Sequence, residues 1–419
     1  RTWDINGDVS VTSNGDFNGG SSATVTVAGN LTDVGVFTHN SGTVTFDATT
    51  SGKTITSTGS HFNILTFNGS GGEWTPQDAL ATDANLNITA GTLIIPSITG
   101  SVSCSACVGK TFTVSNGARL TMQTNALYPV GYNTYTYGAT SITNYYQTSS
   151  ITTTAATYGY LNLKPAASSI TFTLPTGTTA VQSDLTIGDG TNTDTITANT
   201  NSSTIDVDAS VSISANSTLT AHASNGFTVA GHWINNGTFN NSGGTVTFDA
   251  VGTGLTINNN SQPFNNIIFN GSGGAWSPLT SILYASGSLT MTAGTLNNAG
   301  GSANVAVNGD VTCSGTCGTI SLTTAALYQR VTTNRNFGTQ TGATAWTFKN
   351  LNFFNKDTSA GYTITTQTGG SGDVTVTGVL TVGSGSYTQT MTLDAGNRTW
   401  ALSGNGTPFV LNASPAAVL

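Results

Sequence analysis

The sequence predicts an all-β chain wound as a right-handed parallel β-helix of about 20 coils, and three observations predict it. Apolar and polar residues alternate in short runs bounded by Gly, Asn and Ser, which is the pattern of half-buried strands. Corresponding positions (Val27, Val44, Phe67, Ile88 and Val114) recur 17 to 26 residues apart, the length of one coil. No segment carries a sustained apolar stripe at helical spacing.

A longer repeat overlies the coil period. Arg1 to Val11 aligns with Ser203 to Ile213 at an offset of 202, and Gly42 to Ala48 is identical to Gly244 to Ala250 at the same offset. The match continues from Phe67–Pro76 to Phe269–Pro278 and, with small drift, from Leu185–Gly190 to Leu380–Gly385. At Arg398 the opening motif restarts. Long self-similarity sets architecture before any residue chemistry is considered. The expected organisation is a first solenoid unit over 1–202, a second over 203–397, and the start of a third over 398–419 that joins subunits. Such a restart marks either an excerpt of a longer array or a discrete polymerising subunit, and the clean break at Arg398 favours the subunit.

The strands follow in order. Val25-Thr26-Val27, Val44-Thr45-Phe46, Ile64 to Phe67 and Leu86 to Ile88 each put their apolar members on one face. Stacked coils place Val on Val and Phe on Phe, and each coil's backbone groups pair with the coils above and below. Trp74 and Trp276, each two residues before a proline, read as corner packing. The Asn-Gly pairs at 14–15, 68–69, 116–117 and 236–237 also suit hairpins of tandem antiparallel β-sandwiches, the alternative architecture. Coil-length spacing along the whole chain favours the solenoid, since a sandwich requires no such regularity.

Composition narrows the function. Of 419 residues 37% are hydrophobic and only 7% charged, with Glu73 the single glutamate, so hydroxyls and amides coat the surface. A net charge of −8 lacks the basic footprint of nucleic-acid binding, and no apolar run approaches the ~18 residues of a membrane span. The chain opens on Arg without a signal peptide, which points to processed or excerpted material in an extracellular or cell-surface setting. Cys104 with Cys107, and Cys313 with Cys317, are expected as two local disulfides of an oxidising compartment. A shared zinc site would need pairs that ten coils hold roughly 45 to 50 Å apart.

The run from Phe227 to Ala250, with the Leu255–Asn260, Phe264–Gly274 and Leu289–Leu296 segments after it, resembles the β-strand repeats of very large bacterial surface proteins. Those proteins are similar in style to filamentous haemagglutinin and autotransporter passengers. The resemblance covers most of both units. It implies a right-handed parallel β-helix that builds stalks, adhesins or fibres, and it carries no catalytic residue.

Candidate chemistry is sparse. Asp206 and Asp208 share a strand face at about 7 Å, within the span of a glycosidase pair. Their counterparts in the first unit are Asp4 and Asn6, so solvated strand edges are the better reading and no enzyme is expected. Asp189, Asn192 and Asp194 have calcium-loop spacing, against the default of a polar turn. His39, His61, His222 and His232 show no metal spacing, and no metal or other cofactor is expected. Sequons such as those at Asn30 and Asn236 allow glycosylation. Eight tyrosines crowd between Tyr128 and Tyr160. Tyr132, Tyr135, Tyr137, Tyr145 and Tyr146 are candidates for lateral or glycan contact, against the alternative that they fill an enlarged coil. The expected function is an extracellular subunit that assembles head to tail, its partner being itself, with an adhesin or carbohydrate-binding stalk as alternative. Arg1, Thr2, Trp3 and Ile5 at one end, and Arg398, Trp400, Phe409 and Val410 at the other, are the expected joint.

Overall fold

The computed structural model describes all residues except 1, 98–99, 106, 280–281, 340–343, 367–372, 385–388, 413–416 and 419. Arg1 of the expected joint therefore lies outside the described residues. The described chain contains no α-helix, and its strands pair in parallel. It is a parallel β-solenoid of about 17 turns, close to the 20 expected, distributed over two compact units. One unit holds residues 1–203 and 214–217, the other 204–213 and 218–419.

In the first unit, residues one coil apart stand in register. Trp3, Val25, Val44, Leu65, Leu86, Phe112 and Tyr135 form one column, each partnered to the next. Ile5, Val27, Phe46, Phe67, Ile88, Val114 and Tyr137 form the column beside it. These positions are two apart on each strand, so the pleat turns both columns toward the interior. Val25, Val44, Phe46, Phe67 and Ile88 are buried, and the Phe46 and Phe67 rings stack at 5.6 Å. Burying one such side chain stabilises the coil by about 1.5–3 kcal/mol.

The second unit is built the same way. Ile205, Phe227, Val246, Ile267, Leu289, Val311 and Phe337 make one column. Phe248 and Phe269 repeat the stack at 5.4 Å. Its last described strands continue earlier columns: Trp400 follows Trp346 and Val374, and Phe409 follows Leu351 and Leu380.

Corners explain the abundance of asparagine. Backbone donors that leave the strand ladder need partners, and Asn side chains one coil away supply them. Asn30 Oδ1 accepts the Thr54 amide at 2.8 Å, Asn85 Oδ1 the Thr111 amide at 2.9 Å, and Asn266 Oδ1 the Ser288 amide at 2.9 Å. The Asn-Gly pairs form no hairpins. Asn68-Gly69 lies inside the strand Ile64–Pro76, at a shift of register against Leu86–Ile95. Trp74 and Trp276 are fully buried beside Phe67 and Phe269, each pair of rings 5.2 Å apart.

Candidate functional site

The cysteines form two disulfides, Cys104–Cys107 and Cys313–Cys317, with Cα atoms 5.7 and 5.0 Å apart. Both close short loops within a single unit.

The tyrosine segment is mostly core. Tyr128, Tyr132, Tyr137, Tyr145 and Tyr158 are buried, with Tyr128 and Tyr137 joined through their hydroxyls at 2.5 Å and Tyr145 to Tyr158 at 3.2 Å. Tyr132 bonds the Thr82 hydroxyl at 2.8 Å. Burial pushes the Tyr137 and Tyr158 hydroxyls well above the usual phenol value, helped by the neighbouring Tyr128 and Tyr145, so they remain neutral. The expected glycan or lateral contact is therefore corrected for Tyr132, Tyr137 and Tyr145, whose rings are closed to solvent. Tyr135 occupies an interior column and gives its hydroxyl to the Pro129 carbonyl at 3.0 Å. Only Tyr146 of the five stands on the outer face, where the Lys164 ammonium lies 6.0 Å from its ring. In a strand the face alternates, and the inward places at 143, 145 and 147 turn 142, 144 and 146 the other way, with Ile142 and Tyr146 half-exposed and Asn144 covered by its neighbours.

The calcium-like loop satisfies itself. Asp189 accepts the Thr191 and Asn192 amides and the Asn192 side chain, all at 2.8 Å. Asp194 sits apart in a strand and is 4% exposed. Burial pushes its carboxyl up from 3.8 to about 6, with Ser217 opposing the rise and the Asp189 charge adding to it. A raised carboxyl favours the fold when protonated. The first unit should lose stability as pH rises from about 4 through about 6, and Asp194→Asn should raise its stability at pH 7 by roughly 1–2 kcal/mol. Thermal melts of both proteins at pH 4 and pH 7 check this: the variant's advantage should appear only at pH 7.

Asp206 is held by the Thr228 hydroxyl on the neighbouring coil. Asp249 nearby is raised by burial and by the Asp206 and Asp208 charges, which is the electrostatics of crowded carboxylates on a strand face. His232 Nδ1 accepts the Thr256 amide at 3.1 Å, and His222 Nδ1 accepts the Ser224 and Asn225 amides at 3.1 and 3.0 Å.

One cluster escaped the sequence reading. His39, His61, Asp83 and Ser105 stand 22 residues apart and meet along one face of the first unit. Asp83 bonds His39 Nε2 at 3.1 Å, His61 Nδ1 at 2.8 Å and the Ser105 hydroxyl at 2.7 Å. Partial burial works against its charge, but these three hydrogen bonds hold the carboxyl below its usual value. The Ser41 amide donates to His39 Nδ1 at 3.0 Å, so the ring proton sits on Nε2 and faces Asp83. That tautomer offers Asp83 a donor and leaves no lone pair on Nε2 for a metal. Among the described residues no three His, Cys, Asp or Glu side chains are placed to hold an ion. The constant 22-residue step, one coil per residue, was the signal that could have found this ladder.

At the first and last described coils, apolar columns reach solvent. Trp3 heads its column and is 47% exposed, while its partner Val25 is buried. Ile5 is half-buried and Thr2 exposed on the same strand. In the second unit Trp400, Leu402 and Phe409 line an apolar hollow with Leu380, Leu393 and Ala395, and Leu411 is 40% exposed. Val410 alternates with Phe409 and pairs with Thr381. Arg398 donates to the Thr339 carbonyl at 2.7 Å, which ties this expected joint residue to its own unit.

These features define a parallel β-solenoid with disulfide-closed loops and apolar terminal coils. The chain matches no known protein family, no curated protein and no solved structure. No helix among the described residues is long and apolar enough to cross a membrane.

Proposed function

We propose that the chain is a structural, non-enzymatic component of an extracellular or cell-surface fibre, in the manner of filamentous-haemagglutinin-like or autotransporter-like stalks, and that copies join head to tail. The carrying observation is the unbroken parallel register, in which apolar columns gain one member with each coil. Trp3 in the first unit and Trp400 and Phe409 in the second are the outermost described members of such columns and are only partly covered, whereas Val25 and Val44 within a column are buried. A strand added in the same register would pair the open backbone edge and cover these side chains together. Disulfides and the scarcity of charge agree with an oxidising, extracellular setting.

A joint of backbone bonds and apolar contact depends little on salt. Placing a charge in the column end blocks it, because an added coil would bury that charge unpaired. Trp3→Lys should therefore leave the solenoid folded, since Trp3 is half in solvent already, and abolish self-association in sedimentation experiments from low to high salt. Association of Trp3→Lys equal to wild type would remove this face from the joint.

A further inference from the structure

We propose that the outer face of the first unit over Arg119–Thr124, Ile142–Gln147 and Tyr160–Pro165 binds an acidic polysaccharide, with a second, equivalent site on the other unit. This goes beyond the structural role above and does not depend on assembly.

The three strands run in register and form a grid. One row is Arg119, Ile142 and Tyr160, the next Thr121, Asn144 and Asn162, and the third Gln123, Tyr146 and Lys164. The middle row is locked: Asn162 Nδ2 donates to Asn144 Oδ1 at 2.8 Å, and Asn144 Nδ2 donates to Thr121 Oγ1 at 3.0 Å. In this strip Thr121 and Asn144 are buried and Asn162 is the half-buried member whose amide reaches the surface; two tyrosine rings and two cations flank it, and Arg119, Tyr146, Tyr160, Asn162 and Lys164 line a shallow groove. Tyrosine rings offer flat faces to the C–H faces of sugars, amides bond hydroxyls, and guanidinium and ammonium groups select carboxylates. Coils repeat every ~4.8 Å, close to the length of one sugar residue, so successive residues of a glycan can meet successive rungs.

Charge supports an acidic ligand. The chain has ten basic residues in all, and this one groove holds two of them. Among the described residues neither Arg119 nor Lys164 is in an ion pair. Glu73 lies two rungs beyond Arg119 on its row, which places the ligand's carboxylate at the Lys164 end.

The second unit carries a ring–cation pair at the corresponding place. Leu161 pairs with Leu185 and Leu351 with Leu380, each the start of the repeated Leu-Thr-Ile/Val-Gly run. Three residues after these leucines stand Lys164 and Phe354, and opposite them Tyr146 and Arg330. The ring and the cation have exchanged strands, yet the pair persists, with Asn162 and Asn352 in the adjacent row. Arg330 lies 5.2 Å from the Tyr284 ring, and Tyr328 lies 6.1 Å from Phe354. Exchange with retention of the pair is what a binding function would preserve and what strand packing alone does not require.

Calorimetric titration of the full chain with oligogalacturonate, and with the same oligomer after reduction of its carboxylates to alcohols, tests the proposal. We expect two sites per chain for the acid and at least about tenfold weaker binding of the reduced form. Lys164→Gln together with Arg330→Gln should weaken only the acid, by a similar factor, whereas Tyr146→Ala with Phe354→Ala should weaken both. These side chains stand on the outer face, and an unchanged circular dichroism spectrum will show that the solenoid is intact. No binding of the acid by the wild type, or equal binding by the folded variants, overturns the proposal.

Discussion

Replacing Trp233 with alanine should destabilise the second unit by about 3–5 kcal/mol. Its ring is fully buried and touches four others: Phe239 at 4.8 Å, Phe264 at 5.1 Å, Phe227 at 5.5 Å and Phe248 at 6.4 Å. Val211 and Ile257 stand above and below it in register. Hydrogen-bonded rungs on both sides prevent the coil from collapsing into the space, so most of the cavity remains. Solenoid stability is nearly a sum over neighbouring coils, and the loss should be local. Hydrogen exchange should accelerate in the coils around Phe227 to Phe264 while the coils around Phe46 and Phe67 keep their protection. Uniform acceleration along the chain would show a single cooperative block, and no acceleration would show that the cluster contributes little.

Gly271→Ala should be comparably damaging, by roughly 3 kcal/mol. A Cβ at Gly271 would lie 1.8 Å from the Ala250 carbonyl oxygen on the coil before it, and at Gly69 the same distance from the Ala48 oxygen. Both contacts are with backbone, which cannot move without opening the ladder. Gly252→Ala is the control, because a Cβ there meets nothing within 4 Å. Denaturant midpoints should fall sharply for Gly271→Ala and Gly69→Ala and hold for Gly252→Ala. A mild effect at Gly271 would mean that the bulge after Phe269 yields, and that the repeated Asn-Gly-Ser-Gly-Gly segment is less constrained than its geometry implies.

Much of this fold is legible in the sequence because a solenoid writes its period into its strands. Val27, Phe67 and Ile88 carry coil spacing and strand alternation together and stand in one column with Phe46, while Val44 falls in the column beside it. What was not legible depends on parity and on turns. Whether Tyr145 or Tyr146 faces out is decided by a shift of one residue, and the density of tyrosine does not encode it. The Asn-Gly pairs carry hairpin chemistry, but Gly69 is required by close approach of the Ala48 carbonyl and not by a reversal of the chain. The Asp83 ladder and the outer grid join residues one coil apart, so a search for ligands close in sequence passes over them. Reading the chain at its own coil period brings His39, His61, Asp83 and Ser105 together at once.

Assembly by adding coil to coil in register is the central claim, and electron cryomicroscopy of the purified chain over a concentration series tests it most directly. Filaments should form as concentration rises, persist in high salt, and give a layer line near ~4.8 Å from stacked rungs. Monodisperse single chains at every concentration, with Trp3 and Phe409 left in solvent, would contradict it.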